Sequence, residues 1–468
     1  MKTTKATAIY VWILVFASSC YRIGSPAGEE GNGFDTDSDS SDSVDTEIDT
    51  ETSTTYEDCY QGDFSVESVA DLALIYPYSC ITGGLFVHED YGHVSLPLPN
   101  LESIGGCLSI HGTASLVNLD GLDGVNSVGG ISISENESLA NIEGLSNISG
   151  TVESIMVGFN DNLSELTGFD NVNTIVGNLE VIGNISLSSM EGFGALESVG
   201  NIYISGNSAL FDLGGLKKIS EVNGDLYIGD TTGENSSLES LDGLGGLNKV
   251  GGDLEIRGNP ALTAVGLDSL SSVQGNVIID GGVISENDSL VTLEGLNGLL
   301  TVGGDIRISN ENMTELQGLS TLEYIGGDFS VHYNDNLVGF ELPVLQKVEG
   351  SLIIIENESL SEFQLESLNE IGDRLRIRNN PELVFGDGLG DLVSIGGSLE
   401  IIKNESLPSL DGLSAVSSIF GEISVVLNPS LPDCNVCILL GQIEEYSLEE
   451  LNIHDNLSDS CTPVPDNC

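Results

Sequence analysis

The sequence predicts an all-β-rich solenoid, about sixteen coils of 23–24 residues stacked into a rod. A frame I/V-G-G-x-L-x-I-x-x-N-x-x-L-x-x-L-x-G-L recurs along the chain, as in VGGDLEIRGNPALTAVGL (250–267), IGGSLEIIKNESLPSLDGL (395–413) and VGGISISENESLANIEGL (128–145). Its first strand aliphatic falls at Phe64, Leu85, Leu108, Ile131, Ile155, Leu179, Ile202, Leu226, Leu254, Val277, Ile306, Phe329, Leu352, Leu375, Leu399 and Ile423. A period in the twenties with layered aliphatics is the signature of a solenoid. Composition agrees: 58 glycines and only 6% aromatics suit tight turns around thin aliphatic layers, not one large core.

Each part of the frame has a physical reading. Gly-Gly makes a tight turn into a short strand, and L-x-I points two aliphatics inward while the residues between them face out. The recurring Asn stands at 136, 160, 184, 207, 259, 334, 357, 380, 404 and 428. Turned inward at one corner, it can bond backbone groups and its stacked neighbours in a ladder. The Asn-Glu-Ser triplets at Asn136, Asn357 and Asn404 then read as ladder rungs, not glycan sites. No coil can bury its own face, so stability comes from stacking. Sixteen coils at about 4.8 Å each give a rod roughly 75 Å long.

This frame resembles the receptor L-domain type of leucine-rich repeat over residues 59–432. The resemblance implies a right-handed, β-helix-like solenoid used for binding, and it carries no catalytic residue across. Receptor L-domains are shorter and dotted with disulfides, whereas this array is long and its middle lacks cysteine.

Residues 1–19 read as a secretory signal peptide: Lys2 and Lys5, then an apolar run too short to span a bilayer. The end of that run, Ala17-Ser18-Ser19-Cys20, resembles a bacterial lipobox. That resemblance implies diacylation of Cys20 and a lipid anchor at the outer membrane or surface of a Gram-negative cell. Residues 20–58 follow with twelve acids between positions 21 and 58 and almost no large apolar side chain, a disordered spacer of roughly 35 Å.

The eight cysteines lie at the two ends. Cys59 and Cys80 each stand five residues before a strand marker, so stacking brings them within disulfide reach. Cys434, Cys437, Cys461 and Cys468 staple a cap over 433–468, with three connectivities open. The stretch CNVCILLGQIEEY within the cap reads as a helix. Cys107 is left over if Cys20 is lipidated. Cys434-x-x-Cys437 lacks the second pair that a zinc site needs.

With 13 Lys+Arg against 73 Asp+Glu, the formal charge is −60. That argues against nucleic acid and against anionic membrane surfaces, leaving a membrane contact only through the anchor. His88, His111 and His332 are outward and too scattered for a metal site. There is no P-loop, nucleophile elbow or HExxH, and no cofactor is called for. Stacked outward acids, Asp225 with Asp253 and Glu255, and Asp305 with Asp328, are the candidates for a hard cation such as Ca²⁺, as a polysaccharide-cleaving β-helix enzyme would use.

The outward strand face is more informative. Five of the six arginines fall there: Arg257, Arg307, Arg374, Arg376 and Arg378. Tyr203, Tyr227, Glu255, Ile353 and Ile355 share it, and Arg and Tyr are enriched at binding hot spots. The plainer reading is cross-strand packing, with Arg376 beside Glu400 and Arg378 between Ile355 and Ile402. The two longer coils place extra residues at 229–238 and 280–290, flanking the coil of Glu255 and Arg257. The expected function is a monomeric, non-catalytic module that binds a protein or glycan at the cell envelope through this face and these loops. A structural spacer without a ligand and a polysaccharide-acting β-helix enzyme are the other readings.

Overall fold

A computed structural model describes residues 59–458, apart from 231–232, 281–286, 385–387 and 444–450. The leader, Cys20, the acidic segment, Cys461 and Cys468 lie outside the described residues.

The chain is a parallel β-solenoid. Every marker aliphatic stacks on the next, Phe64 on Leu85, Leu85 on Leu108, and so on to Leu375 on Leu399 and Leu399 on Ile423. The longer coils keep this register, since Leu226 pairs with Leu254 and Val277 with Ile306. Their extra residues follow the strand and leave the ladder unbroken. The core is one continuous aliphatic column. In a single coil Leu254, Ile256, Leu262, Val265, Leu267 and Leu270 are all fully buried. Each contributes about 1.5–3 kcal/mol when buried, but only because coils above and below cover it.

In most coils a second short strand precedes the marker strand, as where Lys249–Val250 pairs with Ser272–Val273, and in coils such as Ser103–His111 and Ser198–Ser205 the two run on as one. The Gly-Gly bend lies between the two strands, and its glycines answer to crowding more than to turn geometry. A Cβ on Gly252 would stand 2.1 Å from Oδ1 of Asp225, in the coil before. The corner after the strand is different. Its residue adopts left-handed backbone in coil after coil, for example Glu135 (φ 58°), Tyr333 (φ 56°) and Lys403 (φ 57°), or Gly206 (φ 69°).

The asparagine ladder follows that corner and is more complete than the strand spacing suggests. Asn235, Asn287 and Asn310 are also fully or nearly fully buried rungs, and Asn456 adds another beyond Asn428. Thr113 ends the ladder on the other side by donating its hydroxyl to Asn136 Oδ1 at 2.6 Å. Asn136, Asn357 and Asn404 are 0% exposed. Asn235, Asn287 and Asn310 share the Asn-x-x-Leu/Met spacing but sit displaced from their strand by an insertion or deletion.

Cys59 and Cys80 form a disulfide across paired residues, with Cα atoms 4.4 Å apart. Cys107, left over in the sequence only if Cys20 is lipidated, is also disulfide-bonded. Cys434 and Cys437 are bonded too, and no described cysteine is free. The cap helix spans Asp433–Gln442 and turns Val436, Leu439 and Leu440 inward, while Gln442 Nε2 donates to the Leu413 and Val416 carbonyls. Stacking does not stop at 432. A further strand, Leu451–His454, pairs with Ile423–Val426. Among the described residues no helix is long and apolar enough to cross a membrane.

Candidate functional site

The period-two strands project their alternate residues in columns along one outer face. One column runs Glu180, Tyr203, Tyr227, Glu255, Ile278 and Arg307 in unbroken register. The Tyr203 and Tyr227 rings meet edge to face, with centroids 5.2 Å apart. The Tyr203 hydroxyl lies 3.5 Å from Asp225 Oδ2. Burial pushes the Tyr227 phenol up to about 12, with Asp225 and Asp253 adding to the shift. Tyr203 is raised as well, by burial first and then by Asp225. Glu180 is only 5% exposed, and burial raises its carboxyl although Asn178 Nδ2 donates to it at 2.8 Å.

The next coils hold the flanked centre expected from the two insertions. Arg257 Nε lies 2.9 Å from Glu255 Oε1, a close ion pair without hydrogen-bond alignment, and Arg257 Nη2 lies 3.9 Å from Asp280. Burial raises the Glu255 carboxyl; Arg257 opposes this, while Asp253, Asp280 and Asp230 reinforce it. Asp230 and Asp280 belong to the two insertions, whose residues 231–232 and 281–286 lie outside the described set. Arg257 is therefore already neutralised by acids of its own face.

The other arginines divide in the same way. Arg376 makes a bidentate pair with Glu400, Nε to Oε2 at 2.7 Å and Nη2 to Oε1 at 2.9 Å. Arg374 Nε lies 3.3 Å from the same carboxylate. Arg378 is exposed between Ile355 and Ile402, and Arg307 is exposed between Ile278 and Ser330. Among the described residues, neither Arg307 nor Arg378 has an acid within 4 Å. His332 Nδ1 lies 3.0 Å from Ser330 Oγ, and burial, then the Arg307 charge, holds the imidazole below its ordinary value of 6.5. His111 instead contacts Ser134 Oγ at 2.9 Å, far along the rod.

A second side-chain ladder runs beside this face and was not legible as one in the sequence. Asn201 Oδ1 accepts the Asp225 backbone N–H at 2.7 Å, and Asp225 Oδ1 accepts that of Asp253 at 2.9 Å. The pattern continues from Asp253 to Asn276, Asp305, Asp328 and Ser351. These are the carboxylates considered for a hard cation. Each holds the next coil's backbone, and glycine before each acceptor leaves room for the oxygen. The signal in the sequence is Gly-Asp or Gly-Asn directly before the marker aliphatic. Among the described residues no three His, Cys, Asp or Glu side chains converge as metal ligands would. An apolar groove lies beside the first coils, lined by Val69, Leu72, Ala73, Tyr76, Pro77 and Pro97.

Residues 271–388 match the Receptor L domain family, which is the resemblance carried by the repeat frame. Among solved structures, an LRR protein of Leptospira interrogans is similar at 14% identity and a TM-score of 0.23, covering 77% of this chain and 93% of that one. No curated protein matches the chain.

Proposed function

We propose that this chain is a non-catalytic binding module of the cell envelope, which takes a protein or glycan partner on the outer face of its marker strands. The observation that carries this reading is the make-up of that face. Tyr203, Tyr227, Ile353 and Ile355 are half-buried on the same face as the exposed Arg307 and Arg378, and the two longer coils carry their extra residues after strands of this face. Aromatic and arginine side chains of this kind anchor interfaces. The receptor L-domain match at 271–388 lies under the same stretch and supports a ligand-binding role. The secretory leader and the Cys59–Cys80 disulfide support export to an oxidising compartment.

Retention by diacylation at Cys20 is the finer version of this reading. The residues Ala17–Cys20 support it, and the bond at Cys107 counts against it. The β-helix enzyme reading loses its strongest support, because Asp225 and Asp253 have a backbone-holding role that accounts for their stacking.

The test compares capture of partners from envelope extracts by three proteins: wild type, a face variant (Tyr227→Ser, Arg307→Glu, Arg378→Glu), and a control with Lys217→Glu and Lys218→Glu away from the face. Loss of capture in the face variant alone is the expected result. Equal capture by all three favours a spacer without a ligand on this face.

A further inference from the structure

We infer that the sheet face between Arg307 and Arg378 accommodates an extended, acidic protein segment that carries an aliphatic side chain midway between two carboxylates. This rests on the binding-module reading and names the partner chemistry within it.

The first reason is which arginines remain available. Arg257, Arg374 and Arg376 already meet acids of their own face. Among the described residues Arg307 and Arg378 meet none. An exposed guanidinium presents a planar fork of donors that matches a carboxylate, so each is a place for an incoming anion.

The second reason is the floor between them. Arg307, Ser330 and Ile353 succeed one another in one column, and His332, Ile355 and Arg378 in the next. Ile353 and Ile355 are half-buried with their outer surfaces open. An aliphatic floor between two cations matches a peptide with aliphatic and acidic side chains better than a sugar chain, which packs its ring faces on aromatic groups. The tyrosine pair that could serve a sugar lies several coils away.

The third reason is spacing. Arg307 and Arg378 are separated by three strand-to-strand steps, about 14 Å along the rod axis, and by one column, about 7 Å across it, or about 16 Å on the oblique line between them, an excess of about 2 Å that their long side chains span. An extended chain advances about 3.4 Å per residue with alternate side chains on one face, so positions i and i+4 lie about 14 Å apart. Carboxylates at i and i+4 would meet the two arginines, and the side chain at i+2 would lie over Ile353 and Ile355. The segment crosses the strands over their side chains, so no free sheet edge is required.

The probe is a synthetic peptide, Gly-Glu-Ser-Val-Ser-Glu-Gly, titrated into the full chain carrying labelled isoleucine methyl groups. Comparison peptides replace both Glu by Gln, or move the acids to i and i+2. The expected result is shifts at Ile353 and Ile355, with at least tenfold tighter binding than either comparison peptide. Arg307→Glu with Arg378→Glu should weaken it at least tenfold while leaving the methyl signals of Ile228 and Ile256, in the Leu226 and Leu254 coils, unchanged. Equal binding of the Gln peptide, indifference to spacing, or no shift at Ile353 and Ile355 at millimolar peptide overturns the inference. Polygalacturonate binding through the same arginines, with the peptides inert, overturns it in favour of an anionic glycan. If the peptides fail while the face variant still loses envelope partners, the binding-module reading stands and this inference alone falls.

Discussion

Asn380 Oδ1 accepts the backbone N–H of Asn357 at 3.2 Å and the Asn357 side-chain amide at 3.1 Å. Asn357 repeats the relation with Asn334 and donates to the Val331 carbonyl at 3.1 Å, all at zero exposure. Replacing Asn357 by Ala leaves the Asn334 N–H buried without a partner and takes the side-chain donor from the Val331 carbonyl. An unsatisfied buried group costs about 1–3 kcal/mol, so a loss of about 3 kcal/mol in urea unfolding is expected. Asn357→Asp should also destabilise, because a carboxylate cannot donate to Val331 and its charge is buried. A change below about 0.5 kcal/mol in both variants would mean that the ladder is not a structural support.

The left-handed corner gives a prediction of opposite sign. Lys403 is exposed and holds φ 57°, a conformation that disfavours a residue with a Cβ by about 1–2 kcal/mol. Lys403→Gly relieves that strain and gives back part of it as unfolded-chain entropy, so a gain of about 0.5–1 kcal/mol is expected. Gly206→Val goes the other way, since φ there is 69° and a Cβ would stand 3.2 Å from Gly183. Melting temperatures should move apart, up for Lys403→Gly and down for Gly206→Val.

The stacked coils, their register and the Cys59–Cys80 bond were readable because each follows from a fixed period. What escaped depends on three dimensions. Asn235, Asn287 and Asn310 keep their spacing to the following Leu or Met, not to the preceding strand, so strand-based alignment passes over them. The Asx ladder at Asp225 and Asp253 resembles scattered acidity until each carboxylate is seen on the next coil's N–H. On the candidate face, position identified the outward arginines, and the cross-strand pairing of Arg376 with Glu400 was foreseeable from register. That Arg257 would be neutralised by Glu255 and Asp280 while Arg307 meets no acid among the described residues depends on side-chain rotamers that no periodicity encodes.

His332 should titrate below 6.5 in the folded chain, because burial and Arg307 both disfavour its charged form. The unfolded chain then binds the proton more readily. The contribution of neutral His332 to stability is present above about pH 6.5 and is lost as pH falls from there toward the lowered folded value. An NMR titration of the ring protons measures this directly. Arg307→Gln removes the repulsion and should move the midpoint upward; a midpoint unmoved by that substitution would show that burial acts alone.

The Arg376–Glu400 pair is partly shielded, with side-chain exposures of 30% and 19%. Its bidentate geometry should hold where ordinary surface pairs contribute little, and a double-mutant cycle with Arg376→Gln and Glu400→Gln should return a coupling of about 1 kcal/mol. Arg374 draws on the same carboxylate, so Glu400→Gln alone should destabilise more than Arg376→Gln. Molar salt should reduce the coupling. A coupling indistinguishable from zero would assign Arg376 and Arg374 to the arginines available for a partner.

Cys107 places a demand on the far end of the exported chain. It is disulfide-bonded beside the Leu108 strand, thirteen strand spacings from the Ile423 strand, or about 60 Å along the rod. Cys461 and Cys468 follow Ser458 by at most ten residues, a reach of about 35 Å. Cys20 is the remaining cysteine with a long enough tether, since 38 residues separate it from Cys59. Non-reducing digestion should therefore yield a peptide joining Cys20 to Cys107, and the intact mass should show no diacylglycerol. A diacylated Cys20 with a free thiol at Cys107 would reverse the result and place the rod on a membrane anchor.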